Sequence, residues 1–194
     1  MNLKERVELL AKAKQNPKLQ GIEIEMCKRD ILYFFNTYLY TDKNKTLFTD
    51  ESPDVLPFIL FPFQEEYVIE VWKSIIEGNK PVSERDPNEL TKVFVEKSRQ
   101  MGLSWLTCGI FLYGFIFHNH KYTIISRTAD EVDKLGDMDS MFEKIRFMMR
   151  NLPSWMLPQG LNKAVSIDKT NAYMNISNPN TQASITGKTA NADA

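Results

Sequence analysis

Little in this sequence could build a covalent or metal-bound framework. Among 194 residues there are two cysteines, Cys27 and Cys108, and two histidines. The cysteines lie far apart and share no C-x-x-C spacing, which excludes a disulfide framework and a zinc site built on paired thiolates. A reducing compartment suits them. No excess of either charge is present: 24 Lys and Arg stand against 25 Asp and Glu, for a net charge of -1. Overall charge therefore does not draw the chain onto nucleic acid, and any DNA contact must be local. Long apolar runs are missing too, since none approaches the ~20 residues that span a bilayer. Met1 to Lys14 is charged and helical in pattern, without the apolar stretch of a secretory leader. A soluble chain, neither secreted nor membrane-spanning, is expected. What is present suffices for a core: 43% of residues are hydrophobic and 11% aromatic, over a length that suits one well-buried domain with a small helical appendage.

Leu3, Val7 and Leu10 share one side of an otherwise charged segment, which predicts a short amphipathic helix stopping by Asn16-Pro17. A second helix is expected from about Ile22 to Tyr40, its aromatic half (Tyr33, Phe34, Phe35, Tyr38) forming core. Residues 41–57 read as a loop or boundary, giving an N-terminal helical region 1–57 and a second region 58–194. Pro62, Glu65 and Glu66 suit the first turn of a helix that runs through Trp72 and Ile75 to a stop at Gly78. A strand is expected at 92–96, an apolar helix from Trp105 to Phe117, a strand at 122–125 and a long helix from Ala129 to Leu152, kinked at Gly136. Asn171–Asn178 and Gln182–Gly187 read as a β-hairpin. Strand, loop, helix, strand, helix is an α/β pattern, and right-handed crossovers predict parallel strands.

Between the strand at 92–96 and the following helix lies Lys97-Ser98-Arg99-Gln100-Met101-Gly102-Leu103-Ser104. Aligned on Gly102, it keeps the second glycine and the hydroxyl of the phosphate-loop pattern G-x-x-x-x-G-K-[ST]; Lys97 replaces the first glycine and Leu103 the lysine. Phosphate binding needs N–H groups converging at a helix N-terminus, a cation and a hydroxyl for magnesium. Gly102, Lys97 with Arg99, and Ser104 supply them. The first and seventh positions of such a loop both border the β/γ phosphates, so a lysine at 97 reaches the region where the pattern places it at 103. The bland alternative is a strand-to-helix turn carrying solvated basic residues.

The string VFVEKSRQMGLSWL resembles the deviant phosphate loop of the large terminase subunits of tailed bacteriophages and related proviruses, and ILFPFQEEYV resembles the adenine-binding motif that precedes it there. IISRTADEVDKL and SITGKTANADA look like later segments of the same family, so the resemblance runs from about residue 58 onward. It implies an ASCE-type P-loop NTPase core with a parallel sheet, binding ATP and Mg2+. Carried over by position, Phe63 packs on adenine, Gln64 reads its edge, and Lys97, Ser98, Arg99, Gln100, Met101, Gly102, Leu103 and Ser104 hold the phosphates. Lys97 and Arg99 take the catalytic cationic roles and Ser104 ligates Mg2+. The family implies an ATPase that packages double-stranded DNA into a procapsid. Its implied partners are the portal protein and the small terminase subunit, its assembly a homo-oligomeric ring, its compartment the cytoplasm of an infected bacterium, and the full-length protein would carry a nuclease domain. No counterpart of the family's Walker B aspartate or catalytic glutamate occurs in these 194 residues, which would correspond to a core truncated before Walker B that binds nucleotide and hydrolyses it poorly. A helicase-like nucleic-acid-dependent ATPase and a non-catalytic nucleotide-binding or structural adaptor are the alternatives.

Several other features read as structural. Gly187-Lys188-Thr189 has Gln182 where a phosphate loop has its first glycine. His118 and His120 close a helix; Asp130, Asp133, Asp137 and Asp139 read as a solvated helical face; Met138, Met141, Met148 and Met149 read as core filler. Arg127, just past a strand end, is a phosphate or DNA contact or a surface ion pair.

Overall fold

A computed structural model of the chain describes residues 3–43, 54–98, 101–161 and 171–190. Three helices open it: α1 (Leu3–Lys14), α2 (Pro17–Arg29) and α3 (Ile31–Tyr38). The helix expected over 22–40 is thus two. Asp30 breaks it, because its carboxylate accepts the N–H groups of Leu32 (2.8 Å) and Tyr33 (3.1 Å) and so caps a new helix. Two buried polar groups hold the trio together. Glu23 accepts the hydroxyls of Tyr33 (2.7 Å) and Tyr38 (2.8 Å). Arg6 on α1 donates to the carbonyls of Leu39 (2.7 Å) and Asn36 (3.2 Å) while its guanidinium lies 4.3 Å from the centre of the Tyr40 ring.

The expected loop over 41–57 has structured ends: β1 (Tyr40–Asp42) and β2 (Val55–Pro57) pair antiparallel. Then come α4 (Pro62–Asn79) and α5 (Leu103–Phe117). α5 is the axis of the molecule. Its apolar residues cover most of its circumference, and it packs against α3, α4, the helix α7 (Met141–Asn151) and the sheet. Glycines permit the closest approaches: a Cβ at Gly109 would strike the Phe35 ring, and one at Gly114 the Tyr122 hydroxyl. One cluster of buried side chains runs from Cys27 to Ile185.

The sheet comprises β3 (Lys121–Ser126), β4 (Asn171–Ala172), β5 (Asn175–Ser177) and β6 (Ser184–Thr189), in the order β3-β6-β5-β4. β3 and β6 are parallel, in register from Lys121↔Ser184 to Ser126↔Thr189; β5 runs antiparallel to β6, and β4 antiparallel to β5. The expected parallel sheet is therefore mixed. The expected hairpin is present as β5 and β6, and β4 adds a second turn at Tyr173-Met174. Tyr122, Ile124, Ile176 and Ile185 are buried on one face, while Thr123, Ile125 and Lys188 on the other are exposed. The structure is mixed α/β.

Two further expectations fail. Residues 129–152 form α6 (Ala129–Val132) and α7 (Met141–Asn151), not one kinked helix. α6 stops where Asp133 turns extended (φ -144°, ψ 108°), Gly136 follows in a left-handed conformation (φ 78°) that no helix continues through, and Ser140 caps α7 through the Glu143 N–H (3.3 Å). Residues 92–96 form no strand. Among the described residues their backbone joins no ladder, and Phe94 is 93% exposed. A strand exists only by pairing, and none of the described strands lies alongside this segment.

Candidate functional site

The helix that follows the candidate loop begins at Leu103, two residues ahead of the expected Trp105. Gly102 is the residue before α5 and adopts φ 76°, ψ 8°, a left-handed conformation that a side chain would strain. As the N-cap residue, Gly102 has no side chain with which to cap α5. The N–H groups of Leu103, Ser104 and Trp105 are thus left without helical acceptors at the positive end of a helix fifteen residues long. Such an end is a physical anion site. Ser104 is exposed there, and Leu103 is half-buried. Lys97 and Ser98 are exposed just upstream. Arg99 and Gln100 lie outside the described residues.

Gln64 meets this loop from α4. Its Nε2 donates to the Met101 carbonyl at 3.2 Å, and its Oε1 accepts the Phe61 N–H at 3.1 Å. A carbonyl can only accept and an N–H only donate, so the two partners fix which end of the amide is oxygen. A Cβ placed on Gly102 would lie 3.2 Å from Gln64 Nε2, so the loop backbone rests directly on this side chain. One turn further along α4, Tyr67 and Thr107 share a hydroxyl hydrogen bond at 3.1 Å, a second tie between α4 and α5. Burial raises the Tyr67 hydroxyl above its usual range, so it stays protonated.

Beside Gln64 an aromatic platform faces solvent. The rings of Phe61 and Phe63 lie 5.9 Å apart and within 5° of parallel, with the residues 63% and 48% exposed. Exposed paired phenyl rings are uncommon where burial is available, and their faces are open to a third flat group.

Of the residues singled out by sequence, the structure joins Gln64, Met101 and Gly102, places Ser104 at the helix start, and leaves Phe63, Lys97 and Ser98 in solvent. Sequence reasoning missed Phe61 as the ring partner of Phe63 and the Tyr67–Thr107 tie. The F-P-F spacing was a signal for the first. Nothing in sequence pointed to the second, because the two residues lie 40 positions apart.

The remaining features sort by surroundings. Gly187-Lys188-Thr189 forms the end of β6, where its backbone pairs with β3 and no helix N-terminus follows. Arg127 pairs with Glu131 at 2.9 Å on the surface. Asp133 is not part of a solvated face: it is 3% exposed and binds Arg146 through both carboxylate oxygens, at 2.5 and 2.8 Å. Cys27 and Cys108 are buried, and burial pushes both thiols up, Cys108 to about 12, far from the range of a nucleophilic thiolate. His118 and His120 pack around Trp72, with ring centres 4.9 and 5.5 Å from it. Among the described residues no helix is long and apolar enough to cross a membrane.

No protein-family model matches this chain, and no curated protein matches it.

Proposed function

We propose that this chain is the nucleotide-binding part of a viral DNA-packaging motor, a P-loop ATPase core of the terminase type that takes ATP and Mg2+ at the start of α5. The observation that supports it best is the contact between Gln64 and the Met101–Gly102 peptide. Two stretches that resemble the family's adenine and phosphate motifs, far apart in sequence, meet in space through a hydrogen bond and direct packing. In this reading the Phe61–Phe63 platform stacks on the base, the free N–H groups of α5 and the Lys97 ammonium hold the phosphates, and the Ser104 hydroxyl turns toward magnesium. Arg99 supplies a second cation. The full-length protein would couple hydrolysis to translocation of double-stranded DNA into a procapsid, as a ring of subunits on the portal with the small terminase subunit, in the cytoplasm of an infected bacterium, and would carry a nuclease. The acids that hold the metal and orient water have no counterpart in these residues, so the 194-residue chain binds nucleotide but turns it over slowly.

Equilibrium titration of ATP·Mg against the chain and its Lys97→Ala variant tests this reading. Loss of one charge-assisted contact predicts affinity at least about tenfold weaker in the variant. Equal affinity removes Lys97 from the site, and no ATP binding by the unaltered chain rejects the nucleotide reading.

A further inference from the structure

We infer that Gln64 is a positioning residue that sets the conformation of the loop before α5, and not the group that reads the base. The inference rests on the nucleotide reading for its consequence, but its structural content stands without it. Both ends of the amide are engaged within the protein, by Phe61 N–H and by the Met101 carbonyl. The residue is 7% exposed, so little of the amide is open to an incoming ligand. A base reader needs a donor and an acceptor presented to solvent. Gln64 presents neither.

What the amide does follows from peptide geometry. In a trans peptide the C=O and the next N–H point in opposite directions in one rigid plane. Drawing the Met101 carbonyl toward α4 therefore aims the Gly102 N–H away from α4, outward from the loop. The same rotation sets the left-handed φ of Gly102, the residue whose carbonyl accepts the Leu106 N–H at 3.0 Å in the first backbone bond of α5. Gln64 thus orients one donor of the anion site directly and the helix start by consequence. The missing Cβ at Gly102 is the other half of the device, since a side chain there would press on Gln64 Nε2. Phe61, on the same amide, belongs to the aromatic platform, so movement of the platform is transmitted to the loop through Gln64.

Two variants separate the roles. Gln64→Glu keeps an acceptor for Phe61 but removes the donor to Met101 and sets a carboxylate against a carbonyl. Gln64→Met removes both bonds at similar volume. Binding of ATP, GTP and base-free tripolyphosphate, each with Mg2+, is measured by calorimetry on the full 194-residue chain. Exchange of the Leu106 amide with deuterium is followed in the ligand-free protein, with α7 amides as the control for folding. A positioning residue predicts that Gln64→Glu weakens all three ligands by a similar factor, at least about fivefold. It also predicts faster Leu106 exchange in both variants while α7 exchange is unchanged. Weakened ATP binding with unaltered GTP and tripolyphosphate binding would make Gln64 a base reader and overturn the inference. So would unaltered Leu106 exchange. If the unaltered chain binds none of the three ligands, the nucleotide reading fails, and Leu106 exchange alone decides whether Gln64 sets the loop.

Discussion

Asp133 shows how a single side chain can organise a region that its sequence neighbours do not describe. Its carboxylate takes both Nη atoms of Arg146 and also the Met174 N–H at 2.6 Å, so it ties the end of α6 to α7 and to the turn between β4 and β5. Met174 has φ 52°, a left-handed conformation that a long side chain adopts only when held. Removing the carboxylate leaves a fully buried guanidinium with the neutral Asn171 amide oxygen at 3.0 Å and its nearest remaining carboxylate, Glu143, at 3.8 Å. Asp133→Ala should therefore lower stability by about 3 to 5 kcal/mol, read as a shift in the urea midpoint at unchanged slope. Histidine gives a residue-scale prediction of a different kind. Burial, and for His118 also the neighbouring His120, lowers both imidazoles below their usual value. Their charged forms are disfavoured in the fold, so stability is constant above the unfolded value of about 6.5 and falls as pH drops below it. Thermal midpoints measured from pH 7.5 to 5 should decline below that value, and His118→Asn with His120→Asn should flatten that part of the decline. Neither arrangement was legible in sequence. Asp133 sits among acids that alternate with Lys134 in a solvated pattern, and only the β4–β5 turn, which pairing brings in from 41 residues away, reveals its partners.

Elements were easier to read than their boundaries. The helices α4 and α5, the strand β3 and the β5–β6 hairpin follow from periodicity and turn residues, because apolar spacing and proline placement are local signals. The breaks were not, because they depend on capping side chains, as at Asp30 and Ser140, and on backbone turns, as at Asp133 and Gly136, that apolar spacing does not specify. Asp30 could have been helical surface; its capping bonds make it a boundary. Asp30→Ala should cost about 1 kcal/mol and raise amide exchange at Leu32 and Tyr33 first, the two donors it satisfies. The start of a helix just after the candidate loop was legible, but the left-handed conformation of Gly102 was not read from sequence. The strand before it was not realised, since alternation of Val93, Phe94 and Val95 states a preference for pairing and supplies no partner.

At the scale of the molecule, β3 lies at the edge of the sheet formed by the described residues, one sheet face is exposed, and the 92–98 segment, which joins no described strand, carries an exposed phenyl ring. Exposed apolar backbone with open hydrogen-bonding groups invites association between chains. The 194-residue chain should scatter light at concentrations where a Phe94→Lys variant does not, with helix content by circular dichroism equal in both. Equal scattering would show that this segment does not drive association. The pairing of β3 with β6 has a consequence in time. Thr123 and Thr186, hydrogen-bonded at 3.1 Å, stand 63 residues apart in the chain. Emerging from a ribosome, α1 to α5 can collapse on one another while β3 has nothing to pair with, and the sheet closes only after β6 has been made. The order of synthesis thus leaves an apolar strand waiting, and the slow step of folding is the closing of that long loop.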